Sequence, residues 1–246
     1  MENGLNSHLN ASLGGNADTD AGLRSFLLSV YAKIGISLIL SAVMAYISTI
    51  PPLAEIIHGV GADGKPKMTL IGMVITFAPL AVLLMALFAR KTFGSPAGSM
   101  FLLYFVAACM GVSLGALTFI YTASSLAATL GVTSIMFLSL CLLGYVLKMD
   151  LSKFGPILLM LLVGLIVATV VNIFLKSSGL DAILTYAGVL LFSALTVYDS
   201  QRAKMAYYEA NSSDELATAG NMCALNLYLD FINLFLYLLK ILGQKD

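Results

Sequence analysis

Charge is what this chain has least of. Asp, Glu, Lys and Arg make up 11% of its 246 residues, against about 25% in a soluble domain. The 13 basic and 13 acidic residues cancel, so no cationic surface points to nucleic acid. Histidine is nearly missing: His8 and His58 are the only two, and both lie outside the apolar runs. Neither a histidine metal cluster nor a Ser-His-Asp triad can therefore be built inside a membrane. Cys109, Cys141 and Cys223 lack metal-ligand spacing and sit in or beside apolar runs. They read as small packing residues and carry no information on redox compartment. The amino terminus lacks a basic segment followed by an apolar core, so it does not read as a signal peptide. No internal repeat or low-complexity tract is visible.

Apolar residues fill the space that charge leaves. They make up 59% of the chain, and the mean hydropathy is +0.94. The runs are continuous rather than alternating, so the expected fold is an all-α polytopic membrane protein. Seven runs approach the roughly 20 residues that a span requires: 34–50, 68–89, 98–121, 126–147, 154–175, 182–198 and 222–242. Breakers separate them, including Pro51-Pro52, Gly94-Ser95-Pro96 and the Lys176–Gly179 turn. Asp181 is placed to cap the sixth span, and the polar segment 200–221 reads as the link to the seventh. Residues 1–22, rich in Asn, Ser, Gly and Asp, read as a disordered tail. Residues 23–246 then form the transmembrane domain.

The basic flanks set the orientation. Arg24, Lys33, Arg90, Lys91, Lys148, Lys153, Arg202 and Lys204 fall on one side, and Lys65, Lys67, Lys176, Lys240 and Lys245 on the other. The richer side, with the amino terminus, is expected to be cytoplasmic. Alternation of the spans gives a second result. Arg90 closes the second span, Asp199 closes the sixth, and Asp230 lies a little over two turns into the seventh, roughly 12 Å deep. All three belong to one half of the membrane.

Asp230 stands alone among carboxylates in the run Asn226–Leu242, NLYLDFINLFLYLLKIL. An intramembrane charge is expensive and points to function by default. Two carboxylates held together in low dielectric cannot both ionise cheaply, so the pair would hold a proton, and Arg90 could bridge it bidentately. A hard cation such as calcium also prefers such oxygens. Asn226 and Asn233, four before and three after Asp230, share its face; they could add oxygens to a cation or hydrogen-bond to neighbouring helices. Simpler readings stand beside these. Asp199 could mark an interface, Arg90 could be only a positive-inside residue, and Asp230 could be a structural pin.

The segments Leu195-Thr-Val-Tyr-Asp199-Ser-Gln201 and Leu227-Tyr-Leu-Asp230-Phe-Ile-Asn-Leu-Phe235 resemble the Bax inhibitor (transmembrane Bax inhibitor motif) family, in a bacterial form. The resemblance implies six helices around a central seventh, a bacterial inner membrane location and a pH-sensitive calcium leak. It also implies that Asp199 and Asp230 are the proton-sensing dyad, with possible calcium contact, and that Arg90 is the gate latch. Calcium would be the transported ion, and no tightly bound cofactor is expected. The family's additional acid in the second span has no counterpart, because 68–89 contains no Asp or Glu. Some bacterial relatives are associated with regulating an ATP-dependent membrane protease, so a scaffold role with such a partner is the alternative. No enzymatic activity is expected: Asp230 lies in Tyr-Leu-Asp-Phe rather than the Gly-x-Gly-Asp of intramembrane aspartyl proteases.

Overall fold

The computed structural model describes residues 2–59, 69–75, 78 and 93–245, and of residues 2–20 the backbone alone. Helix α1 (Glu2–Ser48) contains a membrane-length apolar part, Ala21–Ser48. Past Pro51-Pro52 comes the short α2 (Leu53–Ile57). The remaining long helices are α3 (Pro96–Leu114), α4 (Ala123–Val146), α5 (Gly155–Leu175), α6 (Ser178–Glu209) and α7 (Ser213–Leu242). Among the described residues six helices are long and apolar enough to cross a membrane, and there is no strand beyond one isolated bridge between Tyr121 and Lys245. The chain is therefore an all-α polytopic membrane protein. The expected second span, 68–89, falls largely outside the described residues, and Arg90 falls wholly outside them.

Local chemistry sets the helix starts. The side chains of Ser95, Thr122, Ser177 and Ser212 each accept a hydrogen bond from an N–H in the first turn of the helix that follows, satisfying donors that have no intrahelical partner. Pro96 occupies the first position of α3, where a missing N–H costs nothing. The cap of α6 is thus Ser177 rather than Asp181. Asp181 sits in the first turn, where it favours the helix dipole and accepts from Lys240 Nζ at 2.9 Å. The last two helices also run past the expected limits, leaving only Ala210 to Ser212 between them. Hydropathy marks what a bilayer buries, not where a helix stops, and Gln201, Arg202, Ala203 and Lys204 are good helix formers.

Helix α7 is the axis of the bundle. In its most apolar stretch 67% of residues are buried, against 6% for α5. Leu225, Leu227, Tyr228 and Leu234 on α7 are sealed, as are Leu102, Leu103 and Val106 of α3. Small residues allow the surrounding helices to close up: a Cβ on Gly111 would meet the backbone of Ser41, and one on Gly144 would meet the Val197 carbonyl. The far end of α7 is tied to the turn before α4, where Thr122 N–H donates to the Gln244 carbonyl at 3.2 Å and Gln244 N–H donates to Ser125 Oγ at 2.9 Å. With 30 residues, about 45 Å of helix, α7 crosses the bundle rather than turning back within it.

Candidate functional site

Helix α6 carries Asp199 towards its C-terminal end, and α7 carries Asp230 at its middle. Because these two helices run side by side, their carboxyl groups lie close enough to act on each other. A bond between two carboxyls needs a proton on one of them, since an ionised carboxylate only accepts. Asp230 is 4% exposed, and among the described residues its Oδ2 has no hydrogen-bond partner. Such an atom is costly to leave unpaired in low dielectric. Asp199 is less enclosed. It borders a cavity of about 420 Å³ between the last turns of α6 and the first turns of α7, shared with Arg202, Glu209, Glu215, Cys223 and Asn226. Glu215 is already committed there, because its Oε2 accepts from Asn211 N–H at 2.8 Å.

The structure thus brings together two of the three residues singled out in the sequence. Arg90 lies outside the described residues. Two other cations bear on this region, Arg202 on Asp199 and Lys33 on Cys223. Arg202, three residues after Asp199 on the same helix face, acts electrostatically on both Asp199 and Cys223. Lys33, on the α1 span, points inward: its Nζ lies 3.4 Å from where a Cβ on Gly220 would stand. Asn226 borders the cavity. Asn233 turns its Nδ2 back onto its own helix, donating at 2.8 Å to the Leu229 carbonyl rather than to a neighbouring helix.

Several polar residues to which sequence reasoning gave no role of their own hold this arrangement. Gln201 clamps the loop after α4. Its Nε2 donates to the carbonyls of Leu147 at 3.3 Å and Met149 at 2.8 Å, and its Oε1 accepts from Leu151 N–H at 2.7 Å. Ser200 Oγ donates to the Cys141 carbonyl at 2.8 Å and lies 3.4 Å from the Tyr31 hydroxyl. On the opposite side of α7, Asn221 Nδ2 donates to the Pro96 carbonyl and to Ser99 Oγ, both at 2.9 Å. The Tyr228 hydroxyl pairs with Ser41 Oγ at 2.8 Å. The signal for Gln201 was its place two residues after Asp199 in the Tyr-Asp-Ser-Gln segment. Nothing in the sequence could match Ser41 with Tyr228, 187 positions apart.

Among the described residues no group of three or more His, Cys, Asp or Glu is gathered to hold a metal. A cation at the acid pair would complete its shell with amide, carbonyl and water oxygens. What the fold and the pair define is a polytopic helical membrane protein whose central helix carries a buried carboxyl, paired with one from its neighbour.

The comparisons sharpen that class. The family model described as Inhibitor of apoptosis-promoting Bax1 matches residues 23–246. A Caulobacter vibrioides protein is 43% identical over 227 residues, covering 91% of this chain and 90% of its own. Inner membrane protein YbhL of Escherichia coli K12 is 37% identical over 228 residues, covering 92% and 94%, and a Rickettsia prowazekii protein is 36% identical over 233 residues, covering 94% of both. The chain belongs to the Bax inhibitor family, and its similarity to an inner membrane protein together with six apolar helices makes it a multi-pass inner membrane protein.

Proposed function

We propose that this Bax inhibitor family protein is a pH-sensitive, calcium-permeable leak pathway in which the Asp199–Asp230 pair is the sensor. The observation that carries the reading is the closeness of the two carboxyls at the α6–α7 seam, with Asp230 buried and, among the described residues, its Oδ2 unsatisfied. With a proton on the pair, that contact fastens α6 to α7. When the proton leaves, two like charges face each other in low dielectric and repel. The pair must then part, take up a cation, or draw in water from the neighbouring cavity. Each of these alters the seam between the two helices. Arg90 is assigned as the latch on the family pattern, and Arg202 supports the same reading by placing a second cation beside Asp199.

The test is calcium flux into proteoliposomes of the purified protein between about pH 6 and pH 8, a window in which buried carboxyl pairs titrate. Wild type is run beside Asp199→Asn, Asp230→Asn and Arg90→Ala. Flux should vary with pH in wild type, and the two Asn variants should lose that variation. Folded wild-type protein that passes no more calcium than empty liposomes at any pH sinks the channel reading. A peptide-cleavage assay on the same samples checks that the acid pair does not act as a protease.

A further inference from the structure

The groove between α1 and α4 lies outside the acid-pair cavity. It has a volume of about 570 Å³. Its walls are apolar and open: Leu28 is 59% exposed, Leu138 62% and Leu142 63%. Its floor is made by Tyr31 and Cys141. The end of the groove is different in kind. Arg24 lines it one turn inside the α1 span, and Tyr145 lines it one residue before α4 ends. Lys204 of α6 places its Nζ 5.1 Å from the centroid of the Tyr145 ring. Among the described residues, neither Arg24 nor Lys204 has a carboxylate within ion-pair distance. The start of the α1 span and the ends of α4 and α6 lie on one side of the membrane, so both cations sit at the water boundary above an apolar trough.

We infer that this groove binds an anionic glycerophospholipid, with its phosphate between Arg24 and Lys204 and one acyl chain along Leu28, Leu138 and Leu142. Charge complementarity selects the occupant. A basic pocket between spans at one membrane face suits an anionic headgroup, Tyr145 supplies the amphipathic ring common at that depth, and the wall below needs hydrocarbon. A free phosphate would leave the walls unused, and a zwitterionic lipid would gain less from two cations that have no carboxylate partner among the described residues. The floor gives the site a consequence. Tyr31 lies against Ser200, the residue next to Asp199, so a lipid in the groove covers the outer side of the segment that carries the sensor.

The experiment reads lipid and not ion flux, so it stands or falls separately from the leak reading. Full-length protein is reconstituted in phosphatidylcholine vesicles with a trace of spin-labelled phosphatidylglycerol or spin-labelled phosphatidylcholine, and the immobilised fraction is measured by electron paramagnetic resonance. Wild type should prefer phosphatidylglycerol, by about five-fold for each charge. The double variant Arg24→Gln with Lys204→Gln should lose the preference. Lys153→Gln, exposed on the same side but outside the groove, should keep it. Leu138→Trp, which fills the wall without touching either charge, should reduce binding of phosphatidylglycerol. Equal immobilisation of the two lipids by wild type, a preference that survives the double variant, or binding untouched by Leu138→Trp would each overturn the assignment.

Discussion

The two sides of α7 are held by different chemistry. Towards α1 and α3, its polar side chains are matched: Asn221 donates twice, and Tyr228 pairs with a serine that also donates to the Ala107 carbonyl at 2.8 Å. The unpartnered group near that side is Ser37 Oγ, one small hydroxyl. Towards α6, besides the exposed Lys240–Asp181 ion pair, the buried polar tie is a contact between two acids, one of which leaves an oxygen without a partner among the described residues. A matched network keeps its strength across ordinary pH, because none of its members titrates there. An acid pair does not, because its bond exists only while a proton is present. The difference separates a fixed face from a conditional one on the same helix.

That contrast can be broken by substitution, beginning with the largest effect. Gly144→Leu drives a side chain into the Val197 carbonyl and should cost about 3 kcal/mol, the upper part of the overpacking range. It would show as a collapsed thermal melt in detergent and would demonstrate that α4 and α6 depend on backbone proximity. Asn221→Ala deletes two buried hydrogen bonds, to the Pro96 carbonyl and to Ser99 Oγ, and should cost about 2 kcal/mol at every pH. Tyr228→Phe should cost about 1 kcal/mol, since the single Ser41 O–H can still donate to the Ser37 or the Ala107 carbonyl, and should leave the pH dependence of calcium flux untouched. Asp230→Asn should do the reverse: its melting point should move less than that of Asn221→Ala, while the pH dependence of flux disappears. If Tyr228→Phe changes the pH profile as much as Asp230→Asn does, the distinction between the two faces is wrong.

The smallest effect lies away from α7. His58 is buried beside Phe119, ring centroids 5.4 Å apart and edge-on, and among the described residues its Nε2 has no partner. Burial holds its imidazole below the ordinary value of 6.5. The unfolded chain therefore binds this proton more readily than the folded one, and stability falls as pH drops below about 6.5. His58→Phe should keep the edge-on packing and flatten the melting temperature between pH 7 and pH 5. A slope identical to that of wild type would show that other groups set it.

Much of the fold could be read from the sequence, for an identifiable reason. Backbone polar groups in a bilayer must be satisfied within a helix, so apolar run length decides both class and approximate spans. The ends of α6 and α7 could not be read in the same way, because helix continues into water where hydropathy no longer reports it. Asp199 and Asp230 were legible because isolated carboxylates near apolar runs are rare. Their contact followed from alternation plus the family pattern, not from spacing alone. Lys33 interrupts an apolar run visibly, yet only packing could show that it turns towards α7 rather than towards the interface. Partnerships such as Ser41 with Tyr228 depend on which helices cross at which depth, which one chain's residue order does not encode locally.

Helix α5 has a further meaning for how this protein tolerates change. It is the most apolar span, with mean hydropathy 2.8, and Leu165 is its one buried residue among those described. Lipid, rather than protein, is the neighbour of most of its side chains. Selection on such a surface acts on oiliness and length and hardly on shape. A mutational scan of α5 should therefore find long stretches where Leu, Ile, Val, Phe and Met are interchangeable. The same scan across α7 should reject nearly every swap. One chain thus contains a helix written in a loose alphabet and another written in a strict one, and a family alignment should drift fastest along the first.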